Sequence, residues 1–171
     1  MSRGLPDQVD VWRMVSGRRI FAGELDLAAL PRLRDSLAST EGAITCEIEF
    51  GTDEFDQPYV EVRAQGELPL VCQRTLEVYR QPVSVGLRLG LIRREEQEAA
   101  LPPGYEPLLV PADGQVALSD LVEDELILAL PLVPARPDSV LVVHSSEGEG
   151  GAGDEENGDN PFSVLGKLRL Q

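Results

Sequence analysis

Between Ile44 and Phe50 the apolar residues occupy every second position, with Thr45, Glu47 and Glu49 between them. A period of two marks a half-buried strand. Val60, Val62 and Ala64 repeat it against Glu61, Arg63 and Gln65, and a polar turn from Asp53 to Pro58 lies between the two segments. The pair predicts an antiparallel hairpin. Leu68 to Cys72 and Leu76 to Arg80 predict a further strand or a pair around Gln73-Arg74, with Gln81-Pro82 as an interruption. The longest alternation, Val83, Val85, Leu87, Leu89 and Leu91, predicts another strand. Leu108 to Val110 and Gln115 to Ala117 flank Asp113-Gly114, a turn signal, and predict a short hairpin.

Elsewhere the apolar spacing lengthens. Leu25, Leu27, Leu30, Leu33 and Leu37 predict a helix over 29–38, with Pro31 in its first turn and an extended 23–27 before it. Val9 to Val15 suits a short helix or an extended segment, and Arg93 to Ala100 is polar and helix-compatible. Ser119 predicts an N-cap for a helix running to Leu130, just before Pro131. Asp120, Glu123, Asp124 and Glu125 then fall where a helix N-terminus favours negative charge. The run Leu126 to Leu130 has no polar face and predicts burial.

From His144 to Asn160 the chain carries six acids, no base and no large apolar side chain. Such a segment buries too little surface to order itself and predicts a flexible acidic linker, spanning roughly 20–25 Å as a coil. Asn160-Pro161 caps and starts a short helix with Phe162, Leu165 and Leu168 on one face. So short a helix is marginal alone and predicts docking on the body or on a partner. The whole reads as one α+β domain over residues 1–143, a linker over 144–160 and a docking helix over 161–171. The domain is expected to hold a mostly antiparallel, barrel-like sheet over about 43–117, with flanking helices.

Charge sharpens this picture. The 171 residues carry 30 acids and 15 bases, a net −15, and Lys167 is the only lysine. The excess opposes a generic grip on nucleic acid and suits basic protein partners, or an acidic body with a local arginine patch. Leu68 to Arg94 offers such a patch: Arg74, Arg80, Arg88, Arg93 and Arg94 against the one acid Glu77. Guanidinium forks match phosphate oxygens, so RNA or an acidic partner is the functional reading. The structural alternative is an edge strand guarded by charge, with internal ion pairs.

Candidate chemistry is sparse. Cys46 and Cys72 are the only cysteines, too few for a disulfide scaffold. Cys72 and Thr75 look like one arm of a metal knuckle whose second ligand is missing; zinc wants four ligands, so no metal and no cofactor are expected. A buried free thiol fits Cys72 better. His144 is the only histidine and sits beside the acidic tract, a poor base for a nucleophile. Neighbouring acids on a helix diverge by about 100°, so Glu123, Asp124 and Glu125 do not form an acid–base set. No enzymatic activity and no small-molecule substrate are expected. The N-terminus lacks an apolar leader and no 18-residue apolar run exists, so a cytoplasmic chain without a membrane span is expected.

Several of these segments together resemble the bacterial YceD family, named for accumulation of large-subunit ribosomal RNA. They are Leu70-Val71-Cys72-Gln73-Arg74, the Leu101-Pro102-Pro103-Gly104-Tyr105-Glu106-Pro107 stretch, Val122 to Pro131 with its Glu123-Asp124-Glu125 triplet, and Asn160-Pro161-Phe162-Ser163-Val164-Leu165. The resemblance implies a cytoplasmic, non-enzymatic factor in synthesis, processing or stability of 23S ribosomal RNA. Its implied partners are ribosomal RNA or large-subunit assembly intermediates, basic ribosomal proteins among them. Many relatives carry Cys-x-x-Cys where this chain has Cys72 and Thr75.

Overall fold

A computed structural model describes residues 2–3 and 5–138. In chain order these are β1 (Ser2–Arg3), β2 (Gln8–Asp10), α1 (Val11–Ser16), β3 (Ile20–Asp26), a 3-10 turn (Leu27–Ala29), α2 (Pro31–Arg34), β4 (Ala43–Thr52), β5 (Pro58–Val71), β6 (Val78–Ile92), a second 3-10 turn (Glu95–Ala100), β7 (Glu106–Leu109), β8 (Gln115–Ala117) and α3 (Leu118–Leu128). The main sheet has the order β1-β3-β4-β5-β6-β7, and β2 pairs with β8 as a separate ribbon. Among the described strands only β6 and β7 run parallel.

The alternation places one face of the sheet inward. Ile44, Ile48 and Phe50 of β4, Val60, Val62, Leu68 and Leu70 of β5, and Leu89 and Leu91 of β6 are buried. Val11 and Val15 of α1, Leu33 of α2, and Leu118, Val122 and Leu126 of α3 close the same core. Burying a Leu, Ile, Val or Phe side chain stabilises by about 1.5–3 kcal/mol, so this face carries most of the fold's driving force. The other face holds Glu47, Glu49, Glu61, Arg63 and Arg88, brought side by side by the register.

The β4–β5 hairpin forms as its pattern predicts. Asp53 Oδ1 accepts the N–H groups of Phe55 and Gln57, both at 2.9 Å, and so closes the turn. The strands around Gln73-Arg74 are indeed a pair, closed by Cys72 N–H to Glu77 O at 2.9 Å and Leu76 N–H to Cys72 O at 2.8 Å.

Five expectations need correction. First, Pro82 does not interrupt β6. β7 reaches only Leu89–Ile92, so at Pro82 the strand is an edge, where a missing N–H costs no ladder bond. Second, β7 and β8 do not pair with each other around Asp113-Gly114; β7 joins β6, and β8 joins β2. Third, the sheet does not close into a barrel, because its outer members β1 and β7 are not neighbours. Fourth, the helix over 29–38 shrinks to Pro31–Arg34 behind a 3-10 turn, with Pro31 in the first turn as expected. Fifth, Ser119 does not cap α3; the helix starts at Leu118, its N-cap is Ala117, and no side chain bonds there. The linker over 144–160 and the helix over 161–171, with Asn160, Pro161, Phe162, Leu165 and Leu168, lie outside the described residues.

Candidate contact surface

Arg88 is the most constrained of the five predicted arginines. It stands opposite Glu61 in the β5–β6 register, and its Nη2 and Nε donate to Glu61 Oε2 at 2.6 and 3.2 Å. Its guanidinium lies 4.6 Å from the Tyr59 ring centre and 5.9 Å from that of Tyr105. Glu61 also accepts from Arg63, which pairs with Glu47 at 2.9 Å. The hydrogen bond from Arg88 holds the Glu61 carboxyl below the usual range, and Glu61 raises the Arg88 guanidinium in turn. Tyr59 donates to Glu49 at 3.0 Å, and Tyr105 donates to Asp53 at 2.9 Å. Burial pushes Asp53 up, but the N–H groups of Gln57 and Phe55, the Tyr105 hydroxyl and the charge of Arg88 outweigh it.

Two glycines make room for this cluster. Tyr59 pairs with Gly51 on one side and Gly90 on the other. A Cβ at Gly51 would meet the Tyr59 ring at 2.9 Å, and one at Gly90 would meet Leu101 at 2.5 Å. The Leu101-to-Pro107 arm thus crosses the outer face of the sheet, covering Gly90 with Leu101 and bringing Tyr105 to Arg88.

The other arginines are not gathered there. Arg80 projects from the same side of β6 as Arg88 but eight residues away, about 26 Å at 3.3 Å per residue. Arg74 lies in the β5–β6 turn at the far end. Arg93 and Arg94 follow β6 at the near end, and the Gln97 side chain accepts their N–H groups at 2.8 and 3.1 Å. The Arg93 guanidinium stacks 4.1 Å from the Trp12 ring centre. The predicted patch is therefore strung along one strand rather than clustered.

Cys72 is fully buried, as a free thiol. Its Sγ accepts the N–H of Arg136 at 3.4 Å. That bond first, then those from Thr75 and Arg74, pulls the thiol down to about 6 against the opposing effect of burial. At Cys46 burial acts unopposed and pushes the thiol up to about 11. The Arg136 side chain, paired with Glu77 at 3.1 Å and Asp138 at 2.9 Å, holds the segment after α3 against the hairpin turn.

The acidic triplet does something its position in the sequence concealed. Glu123 is 1% exposed and sits beyond the first turn of α3. Its Oε1 accepts the N–H groups of Arg32 at 2.6 Å and Leu33 at 2.9 Å, and its Oε2 accepts Arg32 Nε at 3.0 Å. It therefore caps α2 rather than its own helix. Asp124 joins at 2.5 Å from Arg32 Nη1. Glu125 does not join; burial, then Glu106 and Asp124, raises its carboxyl. Pro131 follows the end of α3, as the sequence predicts. Among the described residues no three His, Cys, Asp or Glu side chains converge on a metal position. No helix among them is long and apolar enough to cross a membrane.

This architecture is that of an α+β protein with an open, mostly antiparallel sheet, one face in the core and one bearing fixed charge pairs. The family described as "Large ribosomal RNA subunit accumulation protein YceD" matches residues 60–169. A Haemophilus influenzae protein of that same description is 31% identical over 167 residues, covering 96% of each chain. The chain belongs to the YceD family. No solved structure matches it.

Proposed function

We propose that this chain is a cytoplasmic, non-enzymatic factor in ribosome biogenesis. It contributes to synthesis, processing or stability of 23S ribosomal RNA by contact with that RNA or with large-subunit assembly intermediates. The observation that carries the reading is membership of a family whose H. influenzae relative is named for accumulation of the large ribosomal RNA subunit. The state of the chain's polar groups is consistent with it. Glu123 is occupied in holding α2, and Glu61 and Arg88 neutralise each other, so the groups best placed for chemistry are engaged in holding the fold. The net −15 favours basic ribosomal proteins as partners, steering encounter more than adding affinity. Phe162, Leu165 and Leu168 are the proposed anchors of a C-terminal docking helix.

Sucrose-gradient sedimentation of a bacterial lysate across a salt series tests this. The expected result is chain in the large-subunit precursor fractions at low salt, moving to the top of the gradient as salt rises. Absence from those fractions at every salt concentration would contradict the reading.

A further inference from the structure

We propose that Arg13, Arg18, Arg19 and Arg93, gathered about α1, form the surface by which this chain grips the phosphate backbone of ribosomal RNA. The proposal rests on the ribosome-biogenesis reading above and adds to it a partner class and a place on the molecule.

The first observation is electrostatic. Among the described residues Arg32, Arg63, Arg88 and Arg136 each hold a carboxylate within 3.1 Å. Arg13, Arg18, Arg19, Arg80, Arg93 and Arg94 hold none, in a chain with 30 acids against 15 bases, and of these only Arg80 lies far from α1. Two acids lie near them, each accepting a backbone N–H. Asp10 accepts the backbone N–H of Arg13 at 3.1 Å, and Asp113 accepts that of Gln115 at 3.1 Å.

The second observation is placement. Arg19 O accepts the N–H of Phe50 at 2.8 Å, which fixes Arg18 and Arg19 at the end of the sheet where β4 finishes. Arg93 leaves β6 at the same end, three strand spacings away, about 14 Å. α1 lies across the gap: Arg93 stacks on Trp12, and Arg13, the next residue, projects about 100° round the helix from it. Arg13 and Arg19 line one open groove with Gln8, Gln115, Met14, Phe21 and the acid Asp10.

The third is backbone conformation. Arg18 holds φ at +45° just past the end of α1, where glycine or asparagine is favoured. That conformation closes the helix end, with Arg18 N–H to Val15 O at 3.0 Å and Arg19 N–H to Met14 O at 3.1 Å, and so fixes the backbone from which both arginines project.

RNA fits this surface better than a protein. Protein interfaces are built on an apolar core, whereas Ile20 is the one large apolar side chain exposed between Leu5 and Phe21. Guanidinium groups with a scatter of amides and no apolar anchor match a polar, positively charged nucleic-acid interface. The acidic remainder of the molecule is screened beyond about 8 Å at physiological salt, so the grip is local and salt-sensitive.

The test uses the full chain and fluorescence anisotropy against a labelled single-stranded transcript of 23S ribosomal RNA, between about 50 and 200 mM salt, with polyglutamate as the rival ligand. The expected result is that the double variant Arg13→Gln/Arg19→Gln binds RNA about tenfold or more weakly. Its log-affinity against log-salt slope should flatten by about 0.7 per contact removed. Arg80→Gln, near the start of β6 at the opposite end of the sheet, should bind as wild type does. Thermal melting confirms that the variants fold. Equal RNA binding by the double variant overturns the proposal, as does tighter binding of polyglutamate than of RNA. Wild-type chain that ignores RNA at the lowest salt, yet sediments with large-subunit precursors, overturns this proposal and leaves the biogenesis reading standing. Failure in both assays overturns both.

Discussion

Glu123 shows how one residue's role depends on contacts the sequence does not display. Its neighbours in the chain are acids, and the natural reading was charge at the start of its own helix. The structure instead spends its carboxylate on the N-terminus of α2, 90 residues earlier, where Leu33 N–H would otherwise be an orphan donor. The electrostatic logic of an anion at a helix N-terminus survives; the helix differs. Glu123→Ala leaves the buried N–H of Leu33 unsatisfied, at about 1–3 kcal/mol, and the part-buried N–H of Arg32 with water as its only partner, so it should destabilise by about 2 kcal/mol in urea unfolding. A loss near zero would refute the capping role. Cys72 carries a second residue-scale expectation. Its thiol, ordinarily at 9.0, is depressed to about 6 in the folded chain. A depressed acid contributes stability that is fully present above its unfolded value and fades as pH falls through the folded one. Stability should therefore fall from pH 9 towards pH 6 in a manner that Cys72→Ser abolishes. Thiolate absorbance titrating near 9 would rule out the depression. The buried free cysteine was legible in its strand-like surroundings; its N–H donors, one from Arg136, were not.

At the scale of elements, what repeats with period two was readable and what depends on distant partners was not. The long β5–β6 hairpin follows from alternation over Val60–Leu70 and Val83–Leu91. Short β7 and β8 carry no such periodicity, and their partners β6 and β2 were chosen by the sheet's open edge and by the N-terminal ribbon. Arg88 faces away from Leu87 and Leu89, as the alternation along β6 requires. Its stacking on Tyr59 and Tyr105 needed the register that sets Tyr59 between Gly51 and Gly90. The paired glycines on either side of an aromatic were the only available signal. The arm from Leu101 to Pro107 should depend on the Tyr105–Asp53 bond. Tyr105→Phe is expected to cost about 1 kcal/mol and to raise hydrogen exchange at Leu108 and Leu109 before exchange rises in β4 or β5. Uniform acceleration across the sheet would show that the arm has no separate stability.

Across the whole molecule, charge is the governing quantity. A net −15 opposes compaction through self-repulsion, and salt screens it. The melting temperature should climb as salt rises from about 10 to 150 mM, while any complex held by arginine–phosphate contacts weakens over the same range. A melting temperature that falls with added salt would show that favourable ion pairs, such as Glu61–Arg88, outweigh the repulsion. The arginine cluster near α1 was the feature least visible in the sequence, because Arg13, Arg18 and Arg19 are some 75 residues from Arg93 and only the stacking on Trp12 joins them. The account as a whole holds that this protein acts by touching rather than by chemistry. The most direct test is the ratio of mature 23S to 16S ribosomal RNA in a bacterial strain lacking its YceD-family gene, complemented with a variant whose remaining α3 acids are neutralised, Asp120→Asn/Glu125→Gln. The account predicts that this variant restores the ratio as fully as wild type does. A folded variant that fails to restore it, with precursor RNA left uncut, would contradict the account by placing acid–base chemistry on α3.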